Sequence, residues 1–96
     1  MEALEKLLGK GDLLSRVVCF ELNRSGDNGQ KISISVHEFL TGEHRGQFCA
    51  EPTDPIRQCK TQYLGVGDSI EEALKNCLEN IKGVSMAEIL DTNANR

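Results

Sequence analysis

The residues of this chain best able to do chemistry are its two histidines and four cysteines. His37, His44, Cys49 and Cys59 offer the imidazole nitrogens and sulfurs that zinc prefers, and they form the candidate metal set. Their spacing opposes it: there is no C-x-x-C, and structural zinc sites usually take their ligands in close pairs. The competing reading makes each cysteine a small hydrophobe and each histidine a solvated ring. Cys49 and His37 also supply the one thiol-and-base combination, because both are expected on the same side of neighbouring strands. Cys19 within a strand and Cys77 within a helical stripe stand where an inert, buried thiol is the commoner outcome.

Other catalytic signatures are missing. No G-x-S-x-G marks a nucleophile elbow. GKGD (9–12) and GVGD (65–68) lack the continuation of a phosphate loop and read as turns. The paired acids Glu71 and Glu72 sit where a helix begins, and capping accounts for them. The chain is therefore expected not to be an enzyme, with no cofactor implied. A thiol or metal-binding protein using His37, His44, Cys49 and Cys59 stands as the alternative.

Any such site must be carried by one small core. Ninety-six residues make a single domain, here 1–91, with a frayed polar tail over 92–96. There is no Trp, and the aromatic residues are Phe20, Phe39, Phe48 and Tyr63. Core burial has to come from Leu, Ile, Val and Cys, at roughly 1.5–3 kcal/mol for each large side chain taken fully out of water. The net charge is −4 and the basic residues are scattered, which argues against a nucleic-acid partner. No apolar run approaches the ~20 residues that span a bilayer, and the acidic, glycine-interrupted start is unlike a signal peptide. The expectation is a cytoplasmic chain with no membrane partner, whose thiols stay reduced.

The patterning gives an α+β domain. Leu4, Leu7 and Leu8 mark a short N-terminal helix over residues 2–8, ended by Gly9 and Gly11. RVVCFELNR (16–24), QKISISVHEFL (30–40) and QFCAE (47–51) alternate with period two and form an antiparallel meander, the first turn being SGDNG (25–29). PTDP (52–55) should break the sheet. IRQCKTQYLGV (56–66) is expected as an edge strand, so the meander has three to four strands. Ile70, Ala73, Leu74, Cys77, Leu78 and Ile81 then make one stripe of a long amphipathic helix. Asp68 or Ser69 is its N-cap, Glu71 and Lys75 pair along it, and Lys82 and Gly83 close it. SMAE (85–88) begins a short C-terminal helix. The long helix should cover the sheet face that carries Val18, Phe20, Leu22, Ile32, Ile34, Val36, Phe48 and Ala50.

Two families share part of this pattern. Helix, three strands, helix is the order of double-stranded RNA-binding domains, with GDSIEEALKN placed where their second helix starts. Ile70, Glu71 and Glu72 stand where the resemblance to that family implies a lysine pair touching phosphates, so the charge is reversed and the RNA contact is not expected. GDSIEEALKNCLENI is similar to the G-D-[ST]-x-E-E-A-L segment of the HicB-type antitoxin domain, with Gly46, Phe48, Pro52 and Cys59 as loose counterparts of the strand, loop and Gly-Cys pair before it. The interval is longer here, and Cys59 has no Gly before it. The likeness, over about residues 46–83, implies a neutralising or ligand-sensing module that works by protein contact. The thirteen residues after Gly83 are too few for the DNA-binding element such antitoxins commonly carry, so no repressor role is expected.

The second sheet face, with Val17, Cys19, Ser33, Ser35, His37, Phe39 and Cys49, is mixed rather than fully polar. It is the candidate interaction face, for another protein or for a second copy in a homodimer.

Overall fold

Alternating apolar residues over Ser15–Arg24 (β1) and Gln30–Phe39 (β2) zip into a long antiparallel pair in which Val18 faces Val36, Phe20 faces Ile34 and Leu22 faces Ile32. β3, Phe48–Asp54, lies on the other side of β2 and sets Ala50 against Val36 and Pro52 against Ile34. The computed structural model describes residues 6–24, 30–54 and 57–91. Most of the expected N-terminal helix, the 25–29 turn and the 92–96 tail fall outside them, and residues 6–11 are turn and irregular backbone.

Two expectations about the sheet are corrected. PTDP does not end β3, which continues through Pro52 to Asp54. On the side away from β2, residues 48–50 pair with one short strand and residues 53–54 with another, and the register gives 51 and 52 no partner there. Pro52 sits where the ladder has a gap, the kind of place that tolerates a missing N–H. The expected edge strand over 56–66 is divided into β4 (Arg57–Cys59), a 3₁₀ turn (Thr61–Tyr63) and β5 (Gly65–Gly67). The turn buries Tyr63. β4 is also not an edge, because β6 (Leu90–Asp91) pairs outside it, giving the order β1-β2-β3-β4-β6 with β5 beside β3.

The long helix is α1, Ile70–Ile81. Ser69 is its cap: its hydroxyl accepts the Glu72 N–H at 3.0 Å, while Glu72 Oε1 accepts the Asp68 N–H at 2.8 Å. Gly83 follows at φ +75°, the left-handed turn expected after the helix. Lys75 reaches Glu79 at 3.9 Å rather than Glu71. Both partners are exposed, so the exchange matters little to stability. α2, Met86–Ile89, repeats the cap with Ser85 accepting from the Glu88 N–H at 3.2 Å.

The core forms where α1 meets the sheet. Ala73, Cys77 and Ile81 are fully buried against Ile32, Ile34, Val36 and Ala50, with Ile89 and Leu90 closing one end. α1 lies over β5, β3 and β2. It comes so close to β5 that a Cβ on Gly65 would stand 2.3 Å from the Ala73 carbonyl oxygen. Asn76 and Asn80 tie the helix to this strand by donating to the Val66 and Leu64 carbonyls at 2.8 and 2.9 Å. β1 is covered less, and Phe20 and Leu22 remain half-buried.

Burial has a titration consequence. It is the main cause pushing the Cys77 thiol up from 9.0 to about 12, helped by the charges that Cys59, Cys49 and Glu51 can carry. Cys59 is pushed up to about 11, by burial first and then by Glu51. Below pH 9 both thiols keep their protons folded and unfolded, so stability is whole. Above it the unfolded chain releases protons that the folded chain retains, and stability falls through the window from 9 towards 11 and 12. Urea titrations across that range are expected to show the fall, and Cys77→Ala should flatten its upper part. An unchanged slope in the variant would count against Cys77 as its source.

Candidate functional site

Successive strand residues point to opposite sides, so the register that buries Ile32, Ile34 and Val36 under α1 turns Ser33, Ser35, His37 and Phe39 the other way. Val17 and Cys19 join them from β1, and Cys49 from β3 opposite His37. All seven residues of the expected interaction face therefore share one sheet surface. α1 packs on the reverse side, and among the described residues no element crosses this one.

The same surface carries residues the sequence reading left out. Glu51, two residues after Cys49, brings Oε1 to 3.3 Å from His37 Nε2. Strand parity would have placed it there. Val66 enters opposite Cys49 and is 58% exposed. It was not legible, because β5 exists only through the division of the 56–66 segment. Lys31 and Glu21 form a loose pair at 3.7 Å towards the far end.

Polar and apolar groups alternate over the surface. Val17 is 47% exposed, and Cys19, expected as a buried thiol, is exposed with its sulfur 3.8 Å from Ser35 Oγ. A β-branched residue on an edge strand loses its cover when no helix lies on that side.

The four candidate metal ligands do not converge. His37 and Cys49 are directly opposed across β2 and β3. His44 sits in the 40–47 loop, where Nδ1 lies 3.2 Å from Gln47 Oε1 and the ring tilts against Phe39 with centroids 6.2 Å apart. Cys59 faces Leu90 across β4 and β6 and packs on the core. Among the described residues no group of three or more His, Cys, Asp or Glu is placed to hold a metal ion.

The Cys49–His37 pairing is real in the register, but its electrostatics run against nucleophilic chemistry. Burial raises the Cys49 pKa above its ordinary value, and the Glu51 carboxylate raises it further. Reactive thiols need the opposite, an electropositive setting that favours the thiolate. The Glu51 carboxylate is nevertheless well placed to orient the His37 ring.

A second concavity lies on the outer side of α1, a shallow groove of about 340 Å³ where Leu74 and Leu78 run between Glu71, Lys75, Glu79 and Lys82. Its floor is aliphatic, and the charged groups stand along its rims. Among the described residues no helix is long and apolar enough to cross a membrane. Comparison of the chain with protein-family models, with curated proteins and with solved structures returned no match.

Proposed function

We propose that this chain is a small non-catalytic interaction domain, regulatory or antitoxin-like in type, that self-associates and offers its open sheet face to another protein. One observation carries it: Val17, Cys19, Ser33, Ser35, His37, Phe39 and Cys49 lie together on the face opposite α1, mixed in polarity as a partner surface is. The raised Cys49 pKa supports a non-catalytic role. The HicB-like reading draws support from the Ser69–Glu72 cap on a helix laid against an antiparallel meander. A cytoplasmic setting suits four unbridged thiols.

Ser35 is at the centre of the face, on β2, and Ser35→Arg leaves the core untouched. Capture experiments in cells of origin, with the parent and with this variant as bait, are expected to retain a partner on the parent and lose it on the variant. Equal retention by both would remove the face as the contact. Light scattering tests the self-associating half, and a monomeric parent chain would end it.

A further inference from the structure

The self-association proposed above has a specific seat in the fold. We propose that the free edge of β1 pairs antiparallel with the β1 edge of a second copy, about a two-fold axis at Cys19.

The sheet protects its margins unequally. At β5, Asn76 and Asn80 occupy the carbonyls of Val66 and Leu64, and β6 is only two residues long. β1 is ten residues long, contains no proline, and among the described residues is paired on one side only. Such an edge presents a row of unpaired N–H and C=O groups to any strand that fits. Edges are commonly blunted by charge, but here the charged side chains of β1 are engaged by β2 or by the end of α1 and the turn after it. Arg16 donates to Glu38 at 2.8 Å, Glu21 approaches Lys31 at 3.7 Å, and Arg24 donates to the carbonyls of Ile81 and Val84. What remains towards the edge is the uncharged run Val17 to Phe20.

The strand's own sequence selects the occupant and the register. In an antiparallel ladder opposed residues share a face, so a symmetric pairing must centre on a residue. Centring on Phe20 sets Arg16 against Arg24 of the second copy, and centring on Glu21 opposes two carboxylates; like charges so placed are destabilising. Centring on Cys19 runs the ladder from residue 15 to residue 23 with no like charges opposed, and centring on Val18 gives a shorter one. In the Cys19 register Val18 meets Phe20 of the second copy on the helix side, covering rings that α1 leaves half-buried. Val17 meets Glu21 on the open side. The axis is perpendicular to the sheet, so both open faces stay on one side and remain available to a partner.

Cross-linking reads the register directly. Opposed Cα atoms in an antiparallel pair lie about 4.5 or 5.5 Å apart, both within disulfide range. Diamide takes two electrons and two protons from two opposed thiols, becoming the hydrazine as the disulfide forms. The full chain is expected to give one cross-linked dimer, absent in Cys19→Ser, which itself stays dimeric by light scattering. In the Cys19→Ser background, Val17→Cys mixed with Glu21→Cys should cross-link, while either alone should not. Val17→Glu should raise the dissociation constant about tenfold by opposing two carboxylates twice, and Glu21→Arg added to it should restore dimerisation.

Ser35→Arg separates this proposal from an open-face dimer, because the edge dimer tolerates it. A dimer lost in Ser35→Arg with no Cys19 cross-link would overturn the edge and leave the open face standing. A parent chain that is monomeric overturns the edge pairing together with the self-association it rests on.

Discussion

Gly65→Ala is expected to destabilise the domain by about 3 kcal/mol, at the upper end of the usual overpacking cost. The added methyl would lie 2.3 Å from both the Ala73 carbonyl oxygen and the Cys77 amide nitrogen, and 2.8 Å from Cys77 Cα. These are helix backbone atoms, so no side-chain rotation relieves the clash. α1 would have to lift from β5, and with it Ala73, Cys77 and Ile81 from the core. For a domain of this size the melting temperature should fall by about 12–24 °C, which thermal denaturation followed by circular dichroism measures directly. Gly83→Ala is the control. Its Cβ meets nothing within 4 Å, and only the left-handed backbone opposes it, at about 1–2 kcal/mol. A Gly65 variant that melted like the Gly83 one would refute the close seating of α1 on β5.

Arg24→Met should cost about 2–3 kcal/mol, because the guanidinium donates to the Ile81 carbonyl at the end of α1 and to the Val84 carbonyl in the turn that follows it. The Ile81 carbonyl is one of those a helix leaves without an intrahelical partner, and a cation there also opposes the negative end of the helix dipole. Methionine keeps the packing of the stem and removes both donors. The denaturant midpoint should drop without a change in slope, and amide exchange should accelerate at the C-terminal end of α1 before it does in β2. Arg24→Lys should recover only part of the loss, since a single ammonium cannot match the two-pronged geometry. A neutral Arg24→Met would show that water serves these carbonyls equally well.

These two residues mark where reading by sequence stops. Gly65 looks like one of several turn glycines until the helix is laid over it. Arg24 looks like the polar end of a strand, while Lys82 looks like the charge that closes α1. In the fold Lys82 is exposed, and the contact comes from β1, far away in sequence. Neither role has a local signature, because each depends on two segments meeting.

The open face was more legible. Period two in β2 fixed which of its residues face away from Ile32, Ile34 and Val36, and the β1 and β3 patterns placed Val17, Cys19 and Cys49 beside them. His44 and Cys59 could not be placed in the same way. One lies in a loop and the other on a strand too short to show a period, and sequence distance says nothing about convergence there.

By itself, then, the sequence determined the α+β class, the three-strand meander, both capped helices and the face that β1, β2 and β3 turn to the core. All of these follow from local periodicity and cap chemistry, which act within a few residues. Tertiary structure decided the rest: that β3 passes through Pro52 because its outer neighbours leave a gap, and that 56–66 splits so that Gly65 and Gly67 can lie beneath α1. It also left β1 as a long uncovered edge. Which hydrogen-bonding groups remain unpaired depends on where every other strand has gone, and no stretch of sequence carries that information alone.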